Sequence, residues 1–127
     1  MSVVYLDSHV AIWLCDGLTE KLSAAATDAI ESSPVLISPM VYQELAYLHR
    51  RKRVLDSPAI MYASLNTSFG VTLCSQSFSA VAAVAAELEW TNDPFDRVIV
   101  AQAQRNAHSR LVTKDKLIRK HYARAVW

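Results

Sequence analysis

The stretch W-T-N-D-P-F-D-R-V-I-V-A-Q-A, residues 90–103, predicts a buried helix with two acids at its start. Asp93 followed by Pro94 is a favoured N-cap and first helical position, and Asp96 falls in the first turn, where a carboxylate suits the helix dipole. The apolar residues at helical spacing on the face of Asp96 are Ile99, Val100 and Ala103. Capping explains Asp93, but it does not require Asp96 to face the core. A cation-binding site does require that orientation.

Outward from this helix, short apolar runs alternate with helical patterns in both directions along the chain. The predicted strands are Val3–Leu6, Val35–Ile37, 71–73 and 110–113. The predicted helices are a short one ending at Trp13, others over about 19–32, 39–50, 58–68 and 77–89, the helix after Asn92, and a short one from Asp115. This alternation indicates right-handed crossovers and a parallel sheet covered on both faces. We therefore expect an α/β fold, a three-layer α/β/α sandwich with a central parallel sheet.

The composition fits one compact domain over residues 1–127. Apolar residues make up 52% of the chain and only 2 residues are glycine, so a disordered chain is not expected. No apolar run reaches the ~18 residues of a membrane span, and no cationic leader precedes the first apolar stretch. Cys15 and Cys74 have neither a metal-type nor a redox-type spacing. We expect a soluble cytoplasmic protein that does not enter a membrane.

Charge is distributed unevenly along the chain, although the net charge is only +1. A basic block stands at residues 50–53, and in the segment from Arg105 onward Asp115 is the only acid. Such segregation favours a polyanionic partner if the bases surround the same cleft as the acids; otherwise they form a solvated helix face. The bases that could hold a phosphodiester backbone are Arg50, Arg51, Lys52, Arg53, Lys114 and Lys116.

Three further carboxylates stand where a parallel sheet could use them in a binding site. Asp7 follows the first predicted strand and Asp115 follows the last one after one lysine, so both lie at carboxyl ends of strands, where ligands bind. Each could instead cap the helix that follows it. Glu44 lies on the inward stripe of the helix from Pro39, where a buried, unpaired carboxylate is costly or becomes protonated. It could instead lie at the edge of that stripe, pair with an arginine or reach water.

If these carboxylates converge, their mutual repulsion must be relieved, for example by a bound cation. Two unit charges ~4 Å apart repel by roughly 4 kcal/mol at an effective dielectric of about 20. Carboxylates without histidine or cysteine partners therefore need protonation or a hard cation, and all-oxygen ligation suits Mg²⁺ or Mn²⁺. One or two such ions can activate water and stabilise charge on a phosphoryl group. With basic segments nearby, the natural substrate is a phosphodiester.

Four motifs stand in order along the chain: L-D-S-H-V-A-I-W-L (6–14), S-P-M-V-Y-Q-E-L-A (38–46), D-P-F-D-R-V-I-V-A-Q-A (93–103) and L-V-T-K-D (111–115). Together they resemble the PIN domain and, more narrowly, the VapC-type toxin ribonucleases of prokaryotic toxin–antitoxin pairs. The resemblance runs from Val3 to Trp127. It implies an acidic pocket that binds one or two Mg²⁺ or Mn²⁺ ions and cleavage of RNA that leaves a 5′-phosphate. It also implies a homodimer and a cognate antitoxin whose peptide enters near the pocket.

The resemblance assigns roles to individual residues. The implied metal ligands and catalytic acids are Asp7, Glu44, Asp96 and Asp115. Asp93 would be an auxiliary ligand or a cap, Thr113 would orient a carboxylate or a water, and Arg97 would contact phosphate or hold an acid in place. Ser8 replaces the commoner threonine after the first aspartate and keeps the hydroxyl. Many relatives have a histidine before the D-P-F-D-R motif, where this chain has Thr91-Asn92, and this departure bears on substrate positioning.

Two other functions remain open from the sequence. A phosphatase with Asp7 as its nucleophile would want a second acid two residues along, where this chain has His9. A non-catalytic nucleic-acid or partner-binding module would use the acids only as helix caps. For His9 itself, packing or support of the neighbouring acid is expected. The tryptophans are expected in the core and not as base-stacking platforms: Trp13, Trp90 and Trp127.

Overall fold

A computed structural model describes residues 2–127, which fold around a five-stranded sheet. The strands are β1 (Val3–Leu6), β2 (Val35–Ile37), β3 (Thr72–Leu73), β4 (Ser109–Val112) and β5 (Ala125–Val126). Their spatial order is β3-β2-β1-β4-β5, and every neighbouring pair is parallel. In the central strand Val4 and Leu6 are fully buried, and burying such a side chain stabilises a fold by roughly 1.5–3 kcal/mol. The predicted α/β sandwich with a central parallel sheet is confirmed.

The helices begin where the sequence provides capping residues. They are α1 (Ser8–Cys15), α2 (Ala24–Ser32), α3 (Pro39–Arg50), α4 (Pro58–Phe69), α5 (Phe78–Ala86), α6 (Pro94–Gln104) and α7 (Lys116–His121). Proline opens α3, α4 and α6, and the residues before these prolines are Ser38, Ser57 and Asp93. Each of these three side chains accepts a backbone N–H of the first turn, which satisfies a donor that the helix leaves unpaired.

Two predicted helices differ from the structure, and one strand was not predicted. The single helix expected over 19–32 is a 3₁₀ turn (Thr19–Lys21) followed by α2, because the Ser23 hydroxyl caps a new helix by accepting from the N–H of Ala26 at 3.1 Å. The helix expected over 77–89 ends at Ala86. The edge strand β5 was not predicted, since two residues are too few to show an alternating pattern.

The register of the sheet places one end of β1 beside the same end of β4. Leu6 is paired with Val112, and the N–H of Asp7 donates to the carbonyl of Val112 at 3.0 Å. Residues 7 and 113 are therefore neighbours just beyond the carboxyl ends of two adjacent strands. This edge is where parallel sheets bind ligands.

Helices α3 and α6 run antiparallel to each other across this edge. Ser38, before the start of α3, donates its hydroxyl to the Gln102 side chain near the end of α6 at 2.6 Å. Tyr47, near the end of α3, contacts Phe95 at the start of α6, with ring centroids 5.8 Å apart. The middle of α3 consequently faces the first turn of α6. Within residues 2–127, none of the helices combines the length and apolar character that crossing a bilayer requires.

Candidate active site

Asp7 is a buried carboxylate held by three neighbours at the end of β1. It is only 4% exposed, and one of its oxygens accepts from the N–H of Ser8 at 2.8 Å, so it caps α1. Its other oxygen accepts from the Thr113 hydroxyl at 2.6 Å and lies 3.5 Å from Nδ1 of His9. A buried carboxylate with fixed oxygens is positioned for ligation, because its rotamer is set before any ligand arrives.

The Thr113 hydroxyl joins two of the predicted site acids. While it donates to Asp7, it also accepts from the backbone N–H of Asp115 at 3.0 Å, and Thr113 is fully buried. Asp115 is half-buried and caps α7, since its side chain accepts from the N–H of Ile118 at 2.9 Å. Capping occupies one carboxylate oxygen of Asp115 and leaves the second one for another partner.

Glu44 reaches the site from the middle of α3. It is half-buried, and the Ser8 hydroxyl donates to its carboxylate at 2.5 Å. Burial raises the pKa of Glu44; the Ser8 hydrogen bond lowers it, and the charges of Asp7 and Asp93 raise it further. The alternative in which Glu44 pairs with an arginine is wrong, because within residues 2–127 no Arg or Lys nitrogen lies within 4 Å of an Asp or Glu carboxylate.

The first turn of α6 adds two more acids. Asp93 caps the helix through one oxygen, which accepts from the N–H of Phe95 at 2.8 Å and of Asp96 at 3.2 Å. Asp96 is half-buried on the face that packs inward. Its pKa rises from 3.8 to about 7, first because of burial and then because of the nearby charges of Asp7, Asp93, Asp115 and Glu44. The charges of the other four predicted acids therefore all act on the Asp96 carboxyl group.

The acids influence one another's charge, but their side chains do not enclose a preformed metal site. Among residues 2–127, no three Asp, Glu, His or Cys side chains are packed closely enough to enclose a metal ion. An Mg²⁺ ion does not need such a cage, since it usually keeps several waters and takes one or two carboxylates. The donors are carboxylate oxygens, which Mg²⁺ and Mn²⁺ prefer, and after burial the charges of four other acids raise the pKa of Asp96. The residues present thus fit a hard divalent cation.

Arg97 binds the backbone of the loop that leads into α6. Its Nε donates to the backbone carbonyl of Thr91 at 2.7 Å, and no carboxylate of residues 2–127 lies within 4 Å of its guanidinium. Arg97 therefore makes no ion pair with an acid, and its predicted contact with phosphate stays a prediction. Because the Thr91 hydroxyl accepts from the N–H of Asp93 at 3.1 Å, Arg97 and Thr91 together fix the loop that leads into α6.

The basic residues fall into two groups at different distances from the acids. Lys114 and Lys116 are exposed and flank Asp115. The block 50–53 forms the last residue of α3 and the turn after it, and a helix rise of 1.5 Å per residue places Arg50 about 9 Å beyond Glu44. The lysines are the sequence neighbours of Asp115, whereas the block lies beyond the end of α3.

Two residues near the acids lie outside the predicted set of ligands: His9, of which packing or support of the neighbouring acid was expected, and Trp13, which was expected in the core. His9 lies against Asp7 and also accepts from the backbone N–H of Lys114 at 3.0 Å, so it connects two segments of the site. Trp13 is half-buried and places its ring 5.0 Å from the His9 ring. The spacing of four residues between them in α1, starting two residues after Asp7, is a sequence signal that puts both on one helix face.

Comparisons with known proteins agree with this architecture. The PIN domain family model matches residues 4–123. The chain is 36% identical over 123 residues to Ribonuclease VapC22 of Mycobacterium tuberculosis (strain ATCC 25618 / H37Rv), a match that covers 95% of this chain and 93% of that protein.

Among solved structures, the fold is similar to the crystal structure of VapBC2 from Rickettsia felis bound to a DNA fragment from their promoter. The TM-score is 0.56 at 16% identity, and the match covers 93% of this chain and 92% of that chain. This second likeness concerns the fold alone. The match of the family model over most of the sequence, together with the identity to VapC22, shows that the chain belongs to the PIN-domain family, in its VapC-type group.

Proposed function

We propose that this protein is a divalent-cation-dependent endoribonuclease and the toxin of a prokaryotic toxin–antitoxin pair, acting as one domain over its 127 residues. The observation that carries the proposal is the convergence of carboxylates on Asp96, whose pKa is raised to about 7 by burial and by four neighbouring acids. The name of the relative VapC22 supports RNA as the substrate class. Crowded carboxylates at the ligand-binding edge of a parallel sheet are what a metal-assisted hydrolase requires.

The residues that would hold the cation are Asp7, Glu44, Asp96 and Asp115, with Asp93 as an auxiliary ligand. When bound, Mg²⁺ or Mn²⁺ supplies Lewis acidity for hydrolysis of a phosphodiester. One or two ions are compatible with this number of carboxylates. The oxygens that the helix caps of Asp93 and Asp115 leave unused would be available to the ion.

The chain's own hydroxyl groups orient the acids. Thr113 fixes one oxygen of Asp7, and Ser8 donates to Glu44 from the first residue of α1. Because each hydroxyl donates a hydrogen bond to a carboxylate oxygen, it fixes the orientation of that carboxylate, and the Ser8 hydrogen bond also lowers the pKa of Glu44. The replacement of threonine by Ser8 therefore preserves the hydrogen bond that the position provides.

The exposed bases would hold the RNA backbone without reading its sequence. Lys114 and Lys116 flank Asp115, and the block 50–53 lies at the end of α3. Contacts of this kind make affinity depend strongly on salt. Hydrolysis at this site would leave a 5′-phosphate on the product.

Cleavage of single-stranded RNA by the purified protein tests the proposal. We expect cleavage in Mg²⁺ or Mn²⁺ and none in excess EDTA. The Asp7→Asn variant should lose on the order of a hundredfold or more in rate, because a ligand and its charge are removed. The matched control is Asp28→Asn, the same change at an exposed position on α2. Equal cleavage in EDTA, or full activity of Asp7→Asn, would show the proposal to be wrong.

Two alternatives give different results in the same preparation. A phosphatase that uses Asp7 as a nucleophile would form an acyl-phosphate that can be trapped, and the metal-assisted site would not. A non-catalytic binding module would show no Mn²⁺-dependent rise in thermal stability, because its acids would serve only as caps. The burial of Asp7 and the raised pKa of Asp96 favour metal-assisted hydrolysis over both alternatives.

The proposed biological setting includes a cognate antitoxin, a homodimer and a cytoplasmic location. The similar fold from Rickettsia felis belongs to VapBC2 bound to promoter DNA, which supports a protein partner for this chain as well. An arginine from such a partner would pair well with the crowded carboxylates. Co-expression with the protein of the neighbouring reading frame should give a stable complex that no longer cleaves RNA. Sedimentation of the protein alone would give its oligomeric state.

A further inference from the structure

Trp13 occupies a position that core packing does not explain. Among residues 2–127, the hydrophobic side chains packed on the main core include Trp90 and Trp127 but not Trp13. Its indole instead contacts the His9 ring at 5.0 Å and the Trp127 ring at 5.9 Å, and it remains half-buried. The expectation that all three tryptophans serve the core is therefore wrong for Trp13. A large aromatic side chain held at the surface by other aromatic rings is suited to contact a ligand.

Two lysines from separate segments converge on the same indole. The Nζ of Lys21, in the 3₁₀ turn, lies 5.5 Å from the Trp13 ring centroid, and the Nζ of Lys114 lies 6.0 Å from it. Neither ammonium has a carboxylate within 4 Å among residues 2–127. Two like charges gathered at one ring without an acidic partner create a local preference for an anion.

This cluster borders the acids of the site. His9 lies between them, with its ring against Trp13 and its Nδ1 3.5 Å from the Asp7 carboxylate. His9 also holds the backbone of Lys114 through the hydrogen bond at 3.0 Å. An anion bound at the two ammoniums would thus be a close neighbour of a group bound at Asp7.

We propose that Trp13, Trp127, Lys21 and Lys114, here called the Trp13 platform, form a subsite for one nucleotide of single-stranded RNA next to the scissile phosphodiester. The base stacks on the Trp13 indole, and its phosphate pairs with Lys21 and Lys114. This inference rests on the proposed ribonuclease function. An ammonium displaced from the ring by the base moves to the phosphate. Stacking of a base on an aromatic ring is stronger than an exposed cation–π contact, so the exchange is favourable.

The chemistry of the platform selects single strands over duplexes. The bases of a duplex are already stacked on one another, so a protein ring can receive a base only from a loop, an end or an unpaired strand. Stacking is tolerant of sequence because every base presents a π face. The platform therefore provides affinity and register beside the acids without choosing a base.

Equilibrium binding of a fluorescent single-stranded oligoribonucleotide tests the stacking contact. Binding is measured in EDTA, where the RNA stays intact, and cleavage is measured in parallel in Mg²⁺. Trp13→Leu should weaken binding on the order of tenfold and raise KM more than it lowers kcat, because an apolar side chain without a π face replaces the indole. Trp13→Phe is the matched control that keeps a ring and should bind within a few-fold of the wild type. Melting temperatures of both variants confirm that they fold.

The two lysines are tested by the salt dependence of the same binding. Lys21→Ala and Lys114→Ala should each reduce the slope of log affinity against log salt by about 0.7, the value for one phosphate contact on a single strand. Lys120→Ala removes the same charge from the last turn of α7 and should leave binding and cleavage unchanged.

The outcomes distinguish a failure of the Trp13 platform from a failure of the proposed ribonuclease function. If the wild type binds and cleaves RNA while Trp13→Leu equals the wild type, the platform is wrong and the ribonuclease stands. An equal loss in Trp13→Leu and Trp13→Phe also overturns the stacking contact, because phenylalanine keeps a π face. A wild type that neither binds nor cleaves RNA overturns the proposed function and the platform with it.

Discussion

At the scale of single residues, Asp96 carries a carboxyl group whose ionised form is disfavoured by its surroundings. Its carboxyl group is half-buried, and burial followed by the charges of four other acids raises its pKa from 3.8 to about 7. The folded state therefore binds this proton more firmly than the unfolded state does. Between those two pH values the free energy of unfolding contributed by Asp96 falls as the pH rises, and above about 7 the destabilisation is complete.

The unfavourable ionisation of Asp96 predicts that Asp96→Asn stabilises the metal-free protein at pH 8. The gain should be on the order of 1 kcal/mol after a discount for solvent screening and for the lost helix-dipole interaction. Thermal unfolding in EDTA at pH 5 and pH 8 measures it, and the variant should also show a weaker pH dependence than the wild type. Asp28→Asn, at an exposed position, is the control for the loss of one charge. A variant that is less stable than the wild type at pH 8 would contradict the charge crowding described for the site.

Thr113 presents the opposite case, a buried polar group whose hydrogen bonds are satisfied. Thr113→Val keeps the shape of the side chain but removes the donor to Asp7 and the acceptor for the N–H of Asp115. We expect a loss of about 1–3 kcal/mol in the free energy of unfolding, because two buried groups lose a partner. Urea denaturation measures the loss, and Thr113→Ser, which retains the hydroxyl, should recover most of it. A valine variant as stable as the wild type would show that water replaces the hydroxyl without cost.

At the scale of elements, the end of α3 carries strain within the basic block. The N–H of Lys52 donates to the carbonyl of His49 at 3.0 Å and that of Arg53 to Leu48 at 2.9 Å, which is the Schellman pattern of a helix C-terminus. Lys52 holds the left-handed conformation of that motif with φ 58°, where glycine is usual. Side chains with a Cβ pay roughly 1–2 kcal/mol for this conformation.

Lys52→Gly should have opposite effects on stability and on RNA binding, because it relieves the backbone strain but removes a positive charge. The protein should become more stable by about 1 kcal/mol, since glycine adopts the left-handed region freely. Lys52→Ala removes the same charge but keeps a Cβ, so the difference between the two variants isolates the backbone term. Urea denaturation measures both. If Lys52 contacts RNA, each variant should also reduce the salt slope of binding by about 0.7. Equal stability of the glycine and alanine variants would contradict the strain.

The elements that could be predicted from the sequence are those whose ends are marked by nearby residues, such as a helix cap or the limits of an apolar run. Pro39 after Ser38 fixes the start of α3, and β2 is a complete apolar run whose bounds agree with the prediction. The break before α2 could not be predicted from the apolar period, which continues across residues 19–32, because a single Ser23 hydroxyl decides it. Strand β5 depends on pairing with β4, a tertiary contact without a local signal.

At the scale of the whole molecule, the site exists only because distant segments meet. Thr113 and Asp7 are 106 residues apart in sequence, and Ser8 and Glu44 are 36 apart. The parallel-sheet rule predicted where Asp7 and Asp115 would lie, and helical spacing placed Glu44 and Asp96 on inward faces. The motif resemblance then implied that all four are metal ligands. Neither could indicate that Arg97 binds a backbone carbonyl or that Trp13 lies half-buried beside His9, because these are properties of packed side chains.

If one cation binds acids from several segments, it should stabilise the fold, and the loss of any one acid should remove most of that stabilisation. Mg²⁺ or Mn²⁺ should raise the melting temperature of the wild type, since a ligand at a hundredfold excess over its Kd adds about 2.7 kcal/mol to the free energy of unfolding. Asp7→Asn and Asp96→Asn should each remove most of this gain. The double variant should lose little more than either single one, because groups that act on one ion are not additive. Additive losses would mean that the two acids bind cations independently, and the single convergent site would then be wrong.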